Sequence, residues 1–164
     1  MWDPRFEFVR AAPALLRGYH RAFCVYSVRY RGTPEQPGLV LGLDRGGACR
    51  GMAFLVARAN VSVVIAQLWE REMPRRVYRP RLLPVDVEGE KVPALAFTAD
   101  RAHEGYAGRL EADEVAQLIA GGHGAGGPNV DYLANTLRHL EALGIRERRL
   151  HRLLLAVQAL ESNA

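Results

Sequence analysis

Lysine is nearly missing from this chain. Of 22 lysines and arginines in 164 residues only Lys91 is a lysine, so 21 arginines carry the basic side of a net charge of +4. They are spread along the chain. The densest group, Arg146, Arg148, Arg149 and Arg152, falls opposite Leu150, Leu153, Leu154 and Val157 at helical spacing, which describes a solvated helix face. A nucleic-acid partner calls for a denser basic patch with interleaved aromatics or a recognisable module, and neither is present. Cysteine is scarce too. Cys24 and Cys49 lie far apart with no C-x-x-C spacing, which excludes a disulfide framework and a zinc site and predicts two buried thiols in strands. No apolar run approaches the length of a bilayer crossing. The N-terminal MWDPRFEFVR holds acids and no apolar core region, so it does not read as a secretory signal, and a cytoplasmic protein is expected.

The usual catalytic and metal signatures are lacking as well. His20, His103, His123, His139 and His151 are scattered, with no H-E-x-x-H and no carboxylate at ligand spacing, so no metal is expected. Ser27 and Ser62 lack the G-x-S-x-G setting of a hydrolase nucleophile, and Cys24 has no local signature. The run from Gly122 to Gly127, GHGAGG, satisfies G-x-G-x-x-G by letter. A helix precedes it where a dinucleotide fingerprint needs a strand, so it reads as a flexible connection.

What is present fits one domain spanning residues 1–164, with 49% apolar and 24% charged residues. Ala14 to Arg29 is rich in aromatic and β-branched residues and reads as extended, bent at Gly18. Arg31 to Gly38 is a loop stiffened by two prolines and two glycines. Leu39–Leu43 and Cys49–Val56 suit strands, and the intervening Asp44-Arg45-Gly46-Gly47 predicts a hairpin. A second hairpin is predicted for Arg79–Val87 and Val92–Ala99 around Glu88-Gly89-Glu90. Three helical patterns close the chain: Glu111 to Ala120, Tyr132 to Leu140 after Pro128, and about Glu147 to Leu160. Strands first and helices last predict an α+β fold with the helices flanking the sheet. There is no internal repeat or low-complexity tail, and no pattern specifies an oligomer.

Between the two predicted hairpins lies NVSVVIAQLWEREMPRRVY, Asn60 to Tyr78. Asn60 can cap a helix on which Val61, Val64, Ile65 and Leu68 share one face, predicted to be buried. Four residues on, Glu72 continues that line, while Glu70 points the other way. A carboxylate aligned with an apolar stripe is costly unless paired or functional. Two readings stand: a general base, or a helix-end acid paired with Arg75 or Arg76 beyond a frayed end near Pro74. Beside it remain Arg31 and Thr33 on the rigid loop, and two loop tyrosines, Tyr78 and Tyr106. Taken singly, each of these four reads as a surface or turn residue.

Together these segments resemble a known family. LLRGYHRAFCVYS, RGTPEQPGLVLGLDRGG, CRGMAF, LWEREM with its Arg71-Glu72 pair, Tyr78, YAGRL and DYLANTLRHLEALGI occur in order over nearly the whole chain, as in the ChaC-like gamma-glutamylcyclotransferases. The resemblance implies a small mixed β-barrel with flanking helices. It implies an enzyme in which the free α-amino group of a γ-glutamyl unit attacks its own γ-carbonyl, releasing 5-oxoproline and an amine, cysteinylglycine when glutathione is the substrate. By resemblance Glu72 is the acid and base of that reaction. Tyr78 and Tyr106 line the pocket, Arg31, Gly32 and Thr33 shape the side receiving the rest of the peptide, and Met1 and Trp2 belong to the substrate site. No cofactor or metal is implied, because the attacking and attacked groups belong to one molecule.

The pattern departs from the family at its start. Members carry a strand and a Tyr-Gly-Ser-Leu loop just before the Met-Trp at which this sequence opens, and that loop supplies backbone N–H groups to the oxyanion. Two expectations follow: a longer chain with an upstream start, or a shortened, non-catalytic protein of the same fold that binds a γ-glutamyl ligand or a protein partner.

Overall fold

A computed structural model describes residues 4–162. Four strands, β1 (Arg10–Ser27), β2 (Gly38–Leu55), β3 (Tyr78–Val87) and β4 (Glu90–Ala99), close a barrel in the order β1-β2-β4-β3. Helix α1 (Val61–Glu72) follows β2 through a 3-10 turn at Arg58–Asn60. After β4 come α2 (Ala112–Gly121), the short strands β5 (His123–Gly124) and β6 (Gly127–Pro128), α3 (Asn129–Ala142) and α4 (Arg148–Ser162). This is the predicted α+β order. Where one domain was expected, contacts group the described residues into two compact units, one of residues 4–22 and 42–103 and the other of residues 23–41 and 104–162. β1 and β2 each contribute to both.

The first unit contains α1, β3, β4 and the adjoining parts of β1 and β2. Its small core is Leu16, Cys49 and Val85, with Leu43, Leu83, Val87, Val92 and Ala94 packed against them. The β3–β4 hairpin is as predicted: Val87 pairs with Glu90, and the intervening Glu88 and Gly89 both have positive φ, 53° and 88°. A two-residue turn with both residues left-handed matches the twist of the flanking strands. Pro84 and Pro93 oppose one another across the ladder, so both missing N–H groups fall on one rung.

The other predicted hairpin does not form. Asp44 to Gly47 lies inside β2, an 18-residue strand that bends without reversing. Gly46 and Gly47 take φ of 106° and 66°, and His20 Nδ1 lies 3.1 Å from the Gly46 carbonyl oxygen. Asp44 is committed elsewhere. Its carboxylate accepts two bonds from Arg101, at 2.7 and 3.0 Å, and Arg101 also donates to the Arg45 carbonyl. Leu43 pairs in parallel with Thr98 of β4. Long-range partners therefore decide what the local turn signal left open. Gly18, at φ 82°, likewise bends β1 without dividing it.

The second unit contains α2, α3, α4, β5, β6 and the parts of β1 and β2 from residues 23–41. Phe23 and Leu39 from the strands pack with Ala116, Ile119, Leu133, Leu137, Leu140, Leu150 and Val157 from the helices. Each large apolar side chain so buried contributes about 1.5–3 kcal/mol. That is what holds α4, whose Arg148, Arg149 and Arg152 are exposed as predicted. Helix α2 begins with a reciprocal capping box between Glu111 and Glu114. Cys24 and Cys49 are buried on strands and, among the described residues, form no disulfide.

The glycine run after α2 is not the flexible connection that its composition predicts. His123 pairs with Pro128 and Gly124 with Gly127, and Ala125 and Gly126 donate to the carbonyls of Arg29 and Tyr30 at 2.8 Å. A Cβ on Gly124 would lie 2.6 Å from the Arg29 oxygen, so the glycines serve close approach of backbone to backbone. Asn129, fully buried at the start of α3, takes the Leu39 N–H on Oδ1 at 2.6 Å and donates Nδ2 to the Leu39 oxygen at 2.8 Å.

Candidate functional site

Helix α1 runs unbroken to Glu72 and ends there, with Pro74 two residues beyond and Arg76 at φ 53° turning the chain toward β3. Its buried side is narrower than predicted. Val64 is buried and Leu68 half-buried, but Val61 and Ile65 are 40% and 42% exposed. Only the line at four-residue intervals faces inward, and Glu72 is its next member, whereas Glu70 is exposed. Asn60 makes no side-chain cap. Its amide donates instead to Glu7 at 3.0 Å.

The Glu72 side chain is 19% exposed. Arg71 Nε lies 3.1 Å from its Oε1, and Arg71 Nη1 donates to the Pro4 carbonyl at 2.9 Å. The acid's ion pair is thus with its neighbour Arg71, and not with Arg75 or Arg76 as the second of the two readings had it. Among the described residues, Oε2 accepts no hydrogen bond. Tyr78, half-buried, opens β3 opposite Ala99. Its neighbours are fixed on both sides: the Val77 oxygen accepts the Asp100 N–H at 2.9 Å, and the Arg79 oxygen accepts the Thr98 hydroxyl at 3.3 Å. Arg79 Nε meets Asp100 Oδ2 at 2.7 Å. That guanidinium, with a second bond from the Ala102 N–H, holds the Asp100 carboxyl below the usual aspartate range. Glu72 and Tyr78 both belong to the first unit.

Arg31, Gly32, Thr33 and Tyr106 belong to the second. The Arg31 guanidinium is turned onto its own unit. It donates to the carbonyls of Gly126 and Pro128, and its carbon sits 5.5 Å from the centre of the Tyr132 ring. Gly32 is buried where a Cβ would lie 2.1 Å from the Gly38 nitrogen. Thr33 closes the loop: its N–H donates to the Gln36 oxygen and its Oγ1 accepts the Gln36 N–H, at 2.9 and 3.1 Å. Tyr106 forms an antiparallel bridge with Val25, flanked by bonds from Tyr26 to Gly105 and from Ala107 to Cys24. A cleft of about 340 Å³ in this unit is lined by Tyr26, Gln36, Pro37, Glu114, Gln117 and Leu118, none of them a predicted site residue. Met1 and Trp2 lie outside the described residues. Among the described residues no three His, Cys, Asp or Glu side chains gather as a metal-ligand set. None of the helices there is long and apolar enough to cross a membrane.

Sequence reading missed Asp100, Arg101 and Asn129. Asp100 had a signal, since an aspartate two residues before an accepted N–H is the mark of an Asx turn, here closed at 3.1 Å with Ala102. The other two act on partners 57 and 90 residues away, beyond the reach of local patterns.

Residues 1–160 match the family model described as "ChaC-like protein". The chain belongs to the ChaC-like family. It is 35% identical over 161 residues to the glutathione-specific gamma-glutamylcyclotransferase of Escherichia coli (strain K12), covering 98% of this chain and 70% of that protein. The human glutathione-specific gamma-glutamylcyclotransferase 1 is 28% identical over 149 residues, covering 88% of this chain and 67% of the human protein. Among solved structures, the yeast gamma-glutamyl cyclotransferase specific to glutathione superposes with a TM-score of 0.82 at 20% identity, covering 96% of this chain and 93% of that one. At that identity the likeness concerns the fold, and it agrees with the barrel and flanking helices expected from the sequence.

Proposed function

We propose that this ChaC-like chain is a gamma-glutamylcyclotransferase that converts glutathione to 5-oxoproline and cysteinylglycine, with Glu72 as acid and base. The observation that carries the activity is the 35% identity, over 98% of the chain, to a relative named for that reaction on glutathione. Supporting Glu72 are its place on the inward line of α1 and a carboxylate steadied through Oε1 by Arg71, with Oε2 left to exchange a proton.

In the proposed sequence Glu72 takes a proton from the substrate α-ammonium. The freed nitrogen forms a bond to the γ-carbonyl carbon and closes a five-membered ring. The ring nitrogen then carries two hydrogens and gives one up as the tetrahedral centre collapses. The bond to the cysteinyl nitrogen breaks, and that nitrogen receives the proton held by Glu72 and then, through the same carboxyl group, the one released by the ring nitrogen, leaving as an ammonium. One carboxyl group can serve these transfers in turn, and the proton count of lactam plus ammonium equals that of ammonium plus amide. Ring closure within one molecule leaves the protein mainly to hold the reactive rotamer. By the family resemblance Tyr78 and Tyr106 would line the substrate pocket, with Arg31, Gly32 and Thr33 shaping the side taken by the peptide remainder. Because the Arg31 guanidinium is engaged with Gly126, Pro128 and Tyr132, its part is to hold the loop's shape. We take residues 1–164 as one cyclotransferase domain, and buried cysteines outside any disulfide suit a reducing cytoplasm.

The test is release of 5-oxoproline from glutathione by the chain and by Glu72→Gln. Turnover that falls at least about 100-fold in the variant, the lower range for losing a general acid–base group, is the expected result. Equal turnover in both would overturn the role of Glu72. No turnover in the wild-type chain, together with glutathione binding, would favour the non-catalytic reading.

A further inference from the structure

We infer that Asp100 is a positioning residue for Tyr78, holding the first rung of β3 in place so that the tyrosine meets substrate in one orientation. The inference rests on the proposed cyclotransferase reading and on the place of Tyr78 in its substrate site.

Tyr78 is the first residue of β3, where a strand would ordinarily fray. Asp100 acts on the residues to either side of it. Its backbone N–H donates to the Val77 oxygen, and its Oδ2 pairs with Arg79 Nε at 2.7 Å. Thr98, itself 2% exposed, adds a bond from its hydroxyl to the Arg79 oxygen. The Asp100 side chain is only 16% exposed, so its carboxylate is held against the protein even though Arg79 is 54% exposed. Its second oxygen accepts the Ala102 N–H, and its own carbonyl accepts the His103 N–H at 3.0 Å. One residue therefore anchors the start of β3 to the turn that ends β4. A plain surface ion pair would not combine a side-chain bond to Arg79 with a backbone bond to Val77 on the other side of Tyr78 and a turn of its own.

Asp100→Asn keeps an Oδ1 acceptor for Ala102 and the backbone bond to Val77 while removing the charge that holds Arg79. Steady-state release of 5-oxoproline from glutathione is measured for wild type, Asp100→Asn, Tyr78→Phe and the double variant, with thermal unfolding alongside. The expected result is a KM raised about 2- to 5-fold in Asp100→Asn, the size of a partly exposed ion pair, with kcat per folded molecule nearly unchanged. Arg79→Ala should reproduce it, Arg79→Lys should recover part of the loss, and Arg10→Ala, which removes the distant ion pair to Glu88, should change neither constant. In the Tyr78→Phe background Asp100→Asn should add nothing. Additive losses, or a fall in kcat with unchanged KM and lowered Tm, would overturn the inference while leaving the cyclotransferase reading intact. A wild-type chain without turnover would overturn that reading and this inference with it. Turnover unaffected by Tyr78→Phe would remove Tyr78 from the site and overturn this inference alone.

Discussion

Replacing Asn129 by alanine should be among the costliest single changes in the second unit. Its amide is fully buried and makes two bonds to the backbone of Leu39, accepting from the N–H at 2.6 Å and donating to the oxygen at 2.8 Å. Leu39 is fully buried too, so both of its backbone groups lose their partner away from bulk solvent. Two buried backbone groups left without partners cost about 1–3 kcal/mol each, so the sum is about 2–6 kcal/mol. That compares with a total stability of about 5–15 kcal/mol for an ordinary domain. At about 2–4 °C per kcal/mol for a chain of this size, Tm should fall by about 4–24 °C. Asn129→Asp should do no better, because it restores the acceptor for the N–H but sets a carboxylate oxygen against the Leu39 oxygen. The contrasting variant is Thr136→Val, two turns along the same face of α3. Thr136 is 1% exposed and its hydroxyl has no hydrogen-bond partner among the described residues, so exchanging it for a methyl should leave Tm unchanged or raise it. Thermal unfolding followed by circular dichroism, with urea titration to check that the m-value is preserved, decides both. A Tm loss under about 2 °C for Asn129→Ala at an unchanged m-value would refute the reasoning, as would a large loss for Thr136→Val.

Two further outcomes follow from the same structure. Gly32→Ala would put a Cβ 2.1 Å from the Gly38 nitrogen and 2.6 Å from the Ser27 oxygen, both backbone atoms, whereas the nearest atom to a Cβ on Gly51 is the end of the Arg21 side chain at 3.9 Å. Gly32→Ala should therefore lose about 3 kcal/mol or more while Gly51→Ala is tolerated, and equal melting temperatures for the two would sink the argument. At acid pH, the depressed titration of Asp100 makes its contribution present above the unfolded-state value of about 3.9 and lost as pH falls below it through the folded-state value. Asp100→Asn should accordingly flatten the decline of stability below about pH 4 and leave its pH dependence above pH 6 unaltered; an acid limb identical to wild type would contradict the assignment.

The two predicted hairpins show where local reading holds and where it stops. Glu88-Gly89 joins strands whose ten-residue ladder runs register by register from the turn, so the local signal and the pairing agree. Asp44-Arg45-Gly46-Gly47 carries an equally strong signal, yet the chain passes straight through it. The difference is the carboxylate. Asp44 is taken up by Arg101, 57 residues on, and cannot cap a turn of its own. The glycine run at 122–127 fails in the same way: composition reads it as slack, while the carbonyls of Arg29 and Tyr30 make it a fixed layer. The helices of the second unit were legible because their apolar faces are broad and their ends carry their own stops, Gly121-Gly122 and Gly144.

Glu72 was legible for a narrower reason. A helix with four residues on a wide apolar face would bury a carboxylate continuing that face deeply, and an isolated buried charge is intolerable without compensation. In the structure the face shrinks to Val64 and Leu68, and the acid at its end is 19% exposed with Arg71 beside it. That is a position a charged group can occupy at modest cost. It keeps the side chain directed inward and lets one oxygen remain unbonded among the described residues. The periodicity thus set Glu72 on the inward line while overestimating its burial. The smaller burial suits the proposed chemistry, because a base that must accept and return a proton within one turnover needs a carboxylate that is oriented without being sealed.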